Sequence, residues 1–343
     1  MSIELLVLGD SSISGMVERV KLAEANGYDK VWLADERFYR EVYSCLAIFA
    51  ANTRRVKLGP CVTDPFARHP ALTAMAIATL DEISNQRAIL GLGAGISGFG
   101  ELGLVHKKPP RAIRESIELI RRLLAGEQVD FHGEVIEFND GHLSFKPPRA
   151  DIPVYVASNG PLGQRSAGAS ADAAIMEACG SVPEVAALKT EVERGAVKAG
   201  RDPRKVKLVA RLNACVATDG RAARDVLRPA VARLLGRGAL KLATAAAQGL
   251  TLPPEAIASI GPAPYAEGVK PYLHLQPLVS DRHVDSFALA GTTGEIVERI
   301  VALCQAGIDD IIIRPFAAPG GSIEDTIVTF GRDIWPAVER ARA

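Results

Sequence analysis

The sequence predicts a (β/α)8 (TIM) barrel, in which eight parallel strands alternate with helices. Eight short, mostly aliphatic runs are separated by segments with helical periodicity or by loops. The first and last units also share one order of helix, glycine, aspartate and strand: ERVKLAEANGYDKVWLADER begins at Glu18, and ERIVALCQAGIDDIIIRPF begins at Glu298. A doubly wound open sheet has the same alternation and is the alternative at this point.

The predicted strands are short and mostly apolar. In chain order they are Ile3–Leu8, Lys30–Ala34, Val56–Pro60, Ala88–Gly93, Pro153–Ala157, Asp172–Met176, Val206–Val216 and Asp310–Arg314. Amphipathic helices are clearest at 113–124 and 296–304, where apolar residues recur at steps of three and four. Gly27 and Gly307 are predicted to end a helix in the left-handed conformation and to turn the chain into the next strand.

Two segments interrupt the alternation. Residues 127–149 contain VDFHGEVIEF and HLSFKP around Asn139-Asp140-Gly141, and they predict a small β insertion that turns at this tripeptide. Residues 236–286 are rich in alanine, glycine and proline and too long for a structureless loop, so we expect short helices that cover one barrel end. The prediction is one barrel domain over residues 1–343, with insertions after the fourth and seventh barrel strands.

Composition favours a small-molecule partner over nucleic acid or a membrane. Forty basic residues balance forty acidic ones, so no gross charge attracts a polyanion. The five cysteines are odd in number and mostly lie in apolar runs, which is typical of reduced thiols in the cytoplasm. The N-terminus has no basic leader, and no apolar run approaches membrane-spanning length. We expect a cytoplasmic homo-oligomer, a dimer or a tetramer.

The chemistry of such a barrel lies at the C-terminal ends of its strands. Charged residues and glycines follow the predicted strands there, for example at 35–37, 94–95 and 158–160, and this favours a polar small-molecule site. GAGISG, which begins at Gly93, has the spacing of a dinucleotide fingerprint, but no helix starts directly after it. We interpret it as a strand end whose glycines let a flat ring approach the backbone; a glycine-rich loop without this role is the alternative.

Metal and acyl-transfer chemistry find little support in the sequence. The six histidines have no metal-ligand spacing, Cys61 and His69 lack paired ligands, and no Gly-x-Ser-x-Gly motif is present. The stretch PGGSIED near the C-terminus could form a phosphate nest. A helix cap by Ser322 and Asp325 is the better interpretation.

The connection after the third strand carries the strongest functional signal. LGPCVTDPFARHPALTAMAIATLDEISNQRAILGLGAG resembles the luciferase-like monooxygenase superfamily, and most of all its coenzyme F420-dependent branch, which includes methylenetetrahydromethanopterin reductase. YVASNGPLGQRSAGASADAAI and AGTTGEIVERIVALCQAGIDDIIIR extend the resemblance along most of the chain. It implies an oxidoreductase that transfers hydride between the deazaflavin and a small organic substrate. A monooxygenase that uses reduced FMN, or a flavin-binding protein without catalysis, are the alternatives.

The resemblance also assigns cofactor-binding residues. It implies that a cis peptide joins Cys61 to Val62 and that this pair supports the face of the ring. The cofactor-binding residues that it implies are Cys61, Val62, Thr63, Ala94, Gly95, Ala157, Ser158, Asn159, Gly160 and Ala178. Residues 157–160 precede a helix, and their N–H groups would meet the ribityl-phosphate side. Glu177 conflicts with this placement, because a nearby carboxylate repels a phosphate.

The catalytic residues depart from the pattern of the reductases. Leu5 stands where they have an acidic residue in the first strand, Glu36 replaces a histidine, and Ile96 replaces an acid after the fourth-strand glycine. Glu36, with Asp35 beside it, is therefore the predicted proton-handling group, and a salt-bridged loop is the alternative. The basic loop LVHKKPPRAIR is predicted to bind the carboxylate tail of F420.

Overall fold

The computed structural model describes residues 1–260 and 267–342. Its main body is a parallel sheet of eight strands that is nearly closed into a barrel. These strands are β1 (Ser2–Val7), β2 (Lys30–Leu33), β3 (Lys57–Pro60), β4 (Leu90–Leu92), β7 (Val154–Ala157), β8 (Ala173–Glu177), β9 (Lys207–Val216) and β11 (Asp310–Pro315). Neighbouring strands follow the order β3-β2-β1-β11-β9-β8-β7-β4. Backbone hydrogen bonds join the two end strands, from Ile89 N–H to Leu58 O and from Thr63 N–H to Gly91 O. The predicted barrel is confirmed, and the open sheet is wrong.

Alternate strand residues fill the inside of the barrel. The packed interior consists of Leu6, Trp32, Ala34, Ile89, Tyr155, Ala173, Ile175, Val209 and Ile312. The Trp32 and Tyr155 rings meet edge to face, with centroids 5.0 Å apart. At the N-terminal ends of the strands, the buried Lys30 ammonium lies 2.6 Å from the Glu4 carboxylate. This filled interior is the floor beneath any ligand that enters from the C-terminal ends.

Helices connect the strands and pack around the barrel. They are α1 (Ile13–Ala25), α2 (Val42–Asn52), α3 (Pro70–Ile83), α4 (Pro109–Leu124), α5 (Pro161–Ser170), α6 (Val182–Lys198), α7 (Gly220–Arg237), α8 (Ala239–Ala247), α9 (Pro254–Ala258), α10 (Asp281–Phe287), α11 (Thr293–Ala306), α12 (Ile323–Thr329) and α13 (Trp335–Arg342). Two 3-10 helices (Pro203–Lys205 and Lys270–Leu278) and a π-helix (Phe330–Ile334) complete the set of described helices. None of the helices within residues 1–260 and 267–342 has both the length and the apolarity to cross a bilayer.

Three local predictions about helix ends and thiols are confirmed. Gly27 and Gly307, at the ends of α1 and α11, have φ angles of 82° and 121°. Ser322 and Asp325 form a capping box at the start of α12. All five cysteines are free thiols.

The first insertion is a β-hairpin, but its predicted turn is wrong. Its antiparallel strands are β5 (Val129–His132) and β6 (Glu137–Gly141), so Asn139-Asp140-Gly141 lies in the second strand and the chain turns at 133–136. The reason is a tertiary contact: the Glu115 carboxylate on α4 accepts the N–H groups of residues 134, 135 and 136 at 2.8–3.0 Å. This contact determines the turn more strongly than the local turn preference of Asn-Asp-Gly.

The second insertion contains the expected short helices. They are α8, α9, the 3-10 helix Lys270–Leu278 and α10, while residues 261–266 of the insertion lie outside the described residues. A second hydrophobic cluster, which includes Leu227, Leu235, Tyr272 and Phe287, packs these elements against α7. A further short strand, β10 (Ala288–Gly291), pairs with β9 and was not predicted, because its ALAG sequence has no β-branched residue.

Candidate functional site

A cavity of about 380 Å³ opens at the C-terminal ends of the barrel strands. Nine predicted site residues line it: Asp35, Glu36, Cys61, Val62, Ala94, Gly95, Ala157, Ser158 and Asn159. The other three predicted site residues, Thr63, Gly160 and Ala178, do not line the cavity. Thr63 is buried behind the lining, and the Ala178 carbonyl accepts a hydrogen bond from the Lys241 ammonium at 3.2 Å.

One wall of the cavity, the neutral wall, is formed by the small, uncharged residues Cys61, Val62, Gly93 and Ala94. It forms where the ends of β3 and β4 meet, and the Cys61–Val62 peptide there is cis, as predicted. The Val62 side chain fills the space beside Gly93, because a Cβ added to Gly93 would lie 2.5 Å from Val62 Cγ2. Burial raises the pKa of the Cys61 thiol to about 12, so this thiol stays protonated at neutral pH and presents a neutral surface.

An ion-pair network next to this wall joins the loops after β2 and β3. The Arg37 guanidinium donates hydrogen bonds to the Asp64 carboxylate and, at 2.8 Å, to the Asp35 carbonyl. Asp64 also accepts the N–H groups of Phe66 and Ala67. Gly95 packs against Asp64, since a Cβ on Gly95 would lie 2.7 Å from Asp64 Oδ2. The sequence analysis placed Arg37 among the charged strand-end residues, but neither Arg37 nor Asp64 was assigned a role in the site, although the Asp-Pro step at 64–65 marks a turn.

The two predicted catalytic acids differ in their surroundings. The Asp35 carboxylate lies 3.0 Å from Arg37 Nη1, and its side chain is only 12% exposed. Desolvation by burial raises the pKa of Asp35, although the nearby Arg37 charge opposes this shift. Asp35 therefore belongs to a salt bridge, as the alternative prediction had it, and is also the carboxyl that holds a proton more readily than usual. Glu36 lines the cavity beside it.

The opposite side of the cavity is basic. Arg211 from β9, Arg233 from α7 and Arg314 from the end of β11 line it. The Glu177 carboxylate at the end of β8 lies 2.6 Å from the Arg211 guanidinium. Desolvation opposes the ionisation of Glu177, but the surrounding cations, of which Arg211 contributes most, lower its pKa below the usual value. Glu177 is thus an ionised, paired carboxylate, so its predicted repulsion of a phosphate is offset.

Sequence reasoning missed Arg211 and Arg233. Arg211 has a recognisable signal, because it is the charged residue inside the mostly apolar run LVARLNACV and shares the inward phase of Val209. Arg233 lies on a helix, and its position depends on how α7 crosses the barrel end.

The loop before α5 offers backbone donors. Asn159 Oδ1 accepts the Glu177 N–H at 3.0 Å, and Gly160 N–H donates to Ser158 Oγ at 3.2 Å. α5 begins at Pro161, and its first intrahelical hydrogen bond runs from Gln164 N–H to Gly160 O. The N–H groups of the first helical turn therefore point towards this edge of the site, a favourable place for an anion.

The basic loop predicted to bind a coenzyme tail is largely engaged within the chain. Lys108 pairs with Glu134 at 2.7 Å, and Arg111 pairs with Glu115 at 2.6 Å. His106, in the same loop, forms a 2.7 Å hydrogen bond with the Gly95 carbonyl. The His106 contact joins the loop to the site at Gly95, and among the described residues none of the lysines or arginines of this loop lines the cavity.

Comparisons with known proteins agree with this architecture. The family model described as luciferase-like monooxygenase matches residues 5–310. The chain is 34% identical over 335 residues to 5,10-methylenetetrahydromethanopterin reductase of Archaeoglobus fulgidus, covering 93% of this chain and 94% of that protein. It is 27% identical over 337 residues to an F420-dependent glucose-6-phosphate dehydrogenase of Rhodococcus erythropolis, covering 94% of this chain and 92% of that protein.

A solved structure with the same fold supports the comparison. The coenzyme F420-dependent tetrahydromethanopterin reductase of Methanopyrus kandleri superposes with a TM-score of 0.85 at 25% identity, covering 98% of each chain. The similarity extends over the barrel and its insertions, so it is not confined to a shared barrel core.

Proposed function

Since the chain belongs to the luciferase-like monooxygenase family, we propose that it is a coenzyme F420-dependent oxidoreductase that acts on a small organic substrate. The observation that carries the proposal is the neutral wall at the ends of β3 and β4, where the cis Cys61–Val62 peptide lies at the cavity and Val62 packs against Gly93. The F420-dependent relatives named above support the choice of coenzyme.

The residues fit a deazaflavin with a phosphorylated tail. Cys61, Val62 and the Ala94–Gly95 backbone would hold one face of the ring. The N–H groups in the first turn of α5 would hold the phosphate, because the Ser158 and Gly160 N–H groups already donate to Ile175 O and Ser158 Oγ. When bound, the deazaflavin supplies a ring carbon that donates or accepts hydride. In the described residues, no group of three or more His, Cys, Asp or Glu side chains is arranged to hold a metal ion.

The chain itself would supply orientation and a proton. Glu36 lines the cavity and can exchange a proton with the substrate at its carboxyl oxygen. Asp35 lies next to Glu36 and is held by Arg37, and burial raises the pKa of Asp35 above its usual value. The apolar floor of Leu6 and Ile175 keeps bulk water away from one side of the reacting groups.

The test is purification from a host that makes both F420 and FMN, followed by mass and absorbance analysis of what stays bound. We expect F420, with reversible reduction by substrate and no oxygen uptake. Bound FMN together with substrate-dependent oxygen uptake would replace the proposal with a flavin monooxygenase. Coenzyme binding without turnover over a broad substrate screen would instead support a binding protein.

A further inference from the structure

We propose that the substrate is an uncharged molecule with an apolar group, an aliphatic chain or a ring, and that this group enters a second cavity beside the coenzyme cavity. The second cavity, here called the side cavity, has a volume of about 310 Å³. It lies between the C-terminal ends of β1 and β11 and the start of α12. The inference rests on the proposed function for the position of the coenzyme.

The side cavity adjoins the coenzyme cavity. Three residues, Leu6, Leu8 and Arg314, line both. Leu6 belongs to the packed interior of the barrel, and Leu8 follows two residues later on the same face of the chain. Strands β3, β2 and β1 separate the neutral wall from the side cavity in the barrel order. A substrate whose reacting carbon faces a ring on the neutral wall can therefore extend past Leu6 and Leu8 into the side cavity.

The lining of the side cavity is mostly apolar. Eight of its twelve residues are leucine, valine, isoleucine, proline or phenylalanine. Two of its charged residues lie towards solvent: Asp10 is exposed, and Arg19 pairs at 2.7 Å with Glu324, whose side chain is 43% exposed. The third, Arg314, has its guanidinium 5.0 Å from the centroid of the Phe316 ring. An apolar group gains free energy when it leaves water for such a lining.

Hydrogen bonds hold the wall of the side cavity in place. The Phe316 N–H donates to the Ala214 carbonyl of β9 at 2.8 Å, and the Phe316 carbonyl accepts from the Thr326 hydroxyl of α12 at 2.7 Å. A capping box fixes the start of α12, whose first residue, Ile323, lines the side cavity. The side cavity is thus formed before any ligand enters, as is usual for small-molecule sites.

The charges that line the coenzyme cavity are balanced. Among the described residues, four arginines and four carboxylates line it. Arg37 contacts the carboxylates of Asp35 and Asp64, and Arg211 contacts that of Glu177. This balance gives no reason to expect an ionic substrate. Apolar burial in the side cavity is therefore the feature of the two cavities that can select a substrate.

The experiment uses straight-chain amides from propanamide to octanamide as probes, because they are uncharged and do not exchange hydride with the coenzyme. Each amide is titrated into the F420-loaded protein, with coenzyme fluorescence as the readout. We expect the affinity to rise by about fourfold for each methylene that enters the side cavity, and then to level off. Ile323→Ala enlarges the side cavity and should move this limit to a longer chain. Ile323→Phe fills it and should move the limit to a shorter chain.

Ile83→Ala and Ile83→Phe are the matched controls. Ile83 is 48% exposed at the end of α3 and lines neither cavity, so both variants should leave the dependence on chain length unchanged. An affinity that does not rise with chain length would overturn the inference. So would a limit that is the same in the parent and in both Ile323 variants.

The affinity for F420 is measured on the same variants. A change in F420 affinity as large as the change in amide affinity would assign the side cavity to the coenzyme and also overturn the inference. Calorimetric titration of the coenzyme-free chain with the amides separates the two proposals. Amide binding that depends on Ile323, together with no F420 binding, would contradict the proposed function and leave the side cavity standing as an apolar binding site.

Discussion

Lys241 and Glu184 form a buried ion pair that attaches the second insertion to the barrel. Their side chains are 4% and 1% exposed, and Nζ lies 2.7 Å from Oε1. Nζ also donates to the Ala178 carbonyl and lies 5.5 Å from the centroid of the Phe287 ring. The substitution Lys241→Met keeps most of the side-chain volume and removes the charge, so it isolates the ionic contribution of this contact.

The expected loss of stability follows from burial. Removing one partner of a buried ion pair costs about 3–5 kcal/mol, because the other charge is left uncompensated. An unfolding entropy of about 2.1 cal/mol/K per residue gives roughly 0.7 kcal/mol/K for 343 residues. The midpoint of thermal unfolding should therefore fall by about 4–7 °C.

The loss should depend on pH in a defined direction. Desolvation raises the pKa of Glu184 even with Lys241 present, and without Lys241 the pKa rises further. A carboxyl whose pKa is higher in the folded than in the unfolded state favours folding when it is protonated, and this advantage is lost as pH rises through the folded pKa. Lys241→Met should thus be more destabilising at mildly alkaline than at mildly acidic pH.

Thermal unfolding followed by circular dichroism at both pH values tests this expectation. Lys189→Met is the matched control, because Lys189 is 52% exposed and its Glu193 partner lies 4.0 Å away, so a shift below about 1 kcal/mol is expected. The double variant Lys241→Met/Glu184→Leu should recover much of the stability. A Lys241→Met shift no larger than that of the control, or one independent of pH, would refute the reasoning.

Three further predictions concern the cavity. Gly93→Ala should weaken F420 binding by about tenfold in a coenzyme fluorescence titration, because the added Cβ would displace Val62. Gly100→Ala is the control and should bind F420 normally, because a Cβ there would meet nothing within 4 Å. Glu36→Gln should lower turnover at least about tenfold with nearly unchanged F420 affinity, and unchanged turnover would remove Glu36 from the mechanism. Turnover should fall as pH rises through the raised pKa of Asp35, and Asp35→Asn should abolish that limb of the pH profile. The same limb in Asp35→Asn would remove Asp35 from proton handling.

Local patterns predicted the fold well where they were strong. Aliphatic runs predicted all eight barrel strands. The repeat shared by the first and last units predicted helix ends at Gly27 and Gly307, and the φ angles of both glycines confirm this prediction. The hairpin turn was misplaced because Glu115, from a separate helix, binds the N–H groups of residues 134–136. β10 was missed because its pairing with β9, and not its own composition, makes it a strand.

The predicted site was more complete on one side of the cavity than on the other. The reason is how far apart in the sequence the residues of each side lie. The neutral wall follows from one continuous motif around Cys61, whose resemblance to a known family is visible in the sequence. The basic side combines Arg211, Arg233 and Arg314 from distant parts of the chain, and only the closed barrel brings them together.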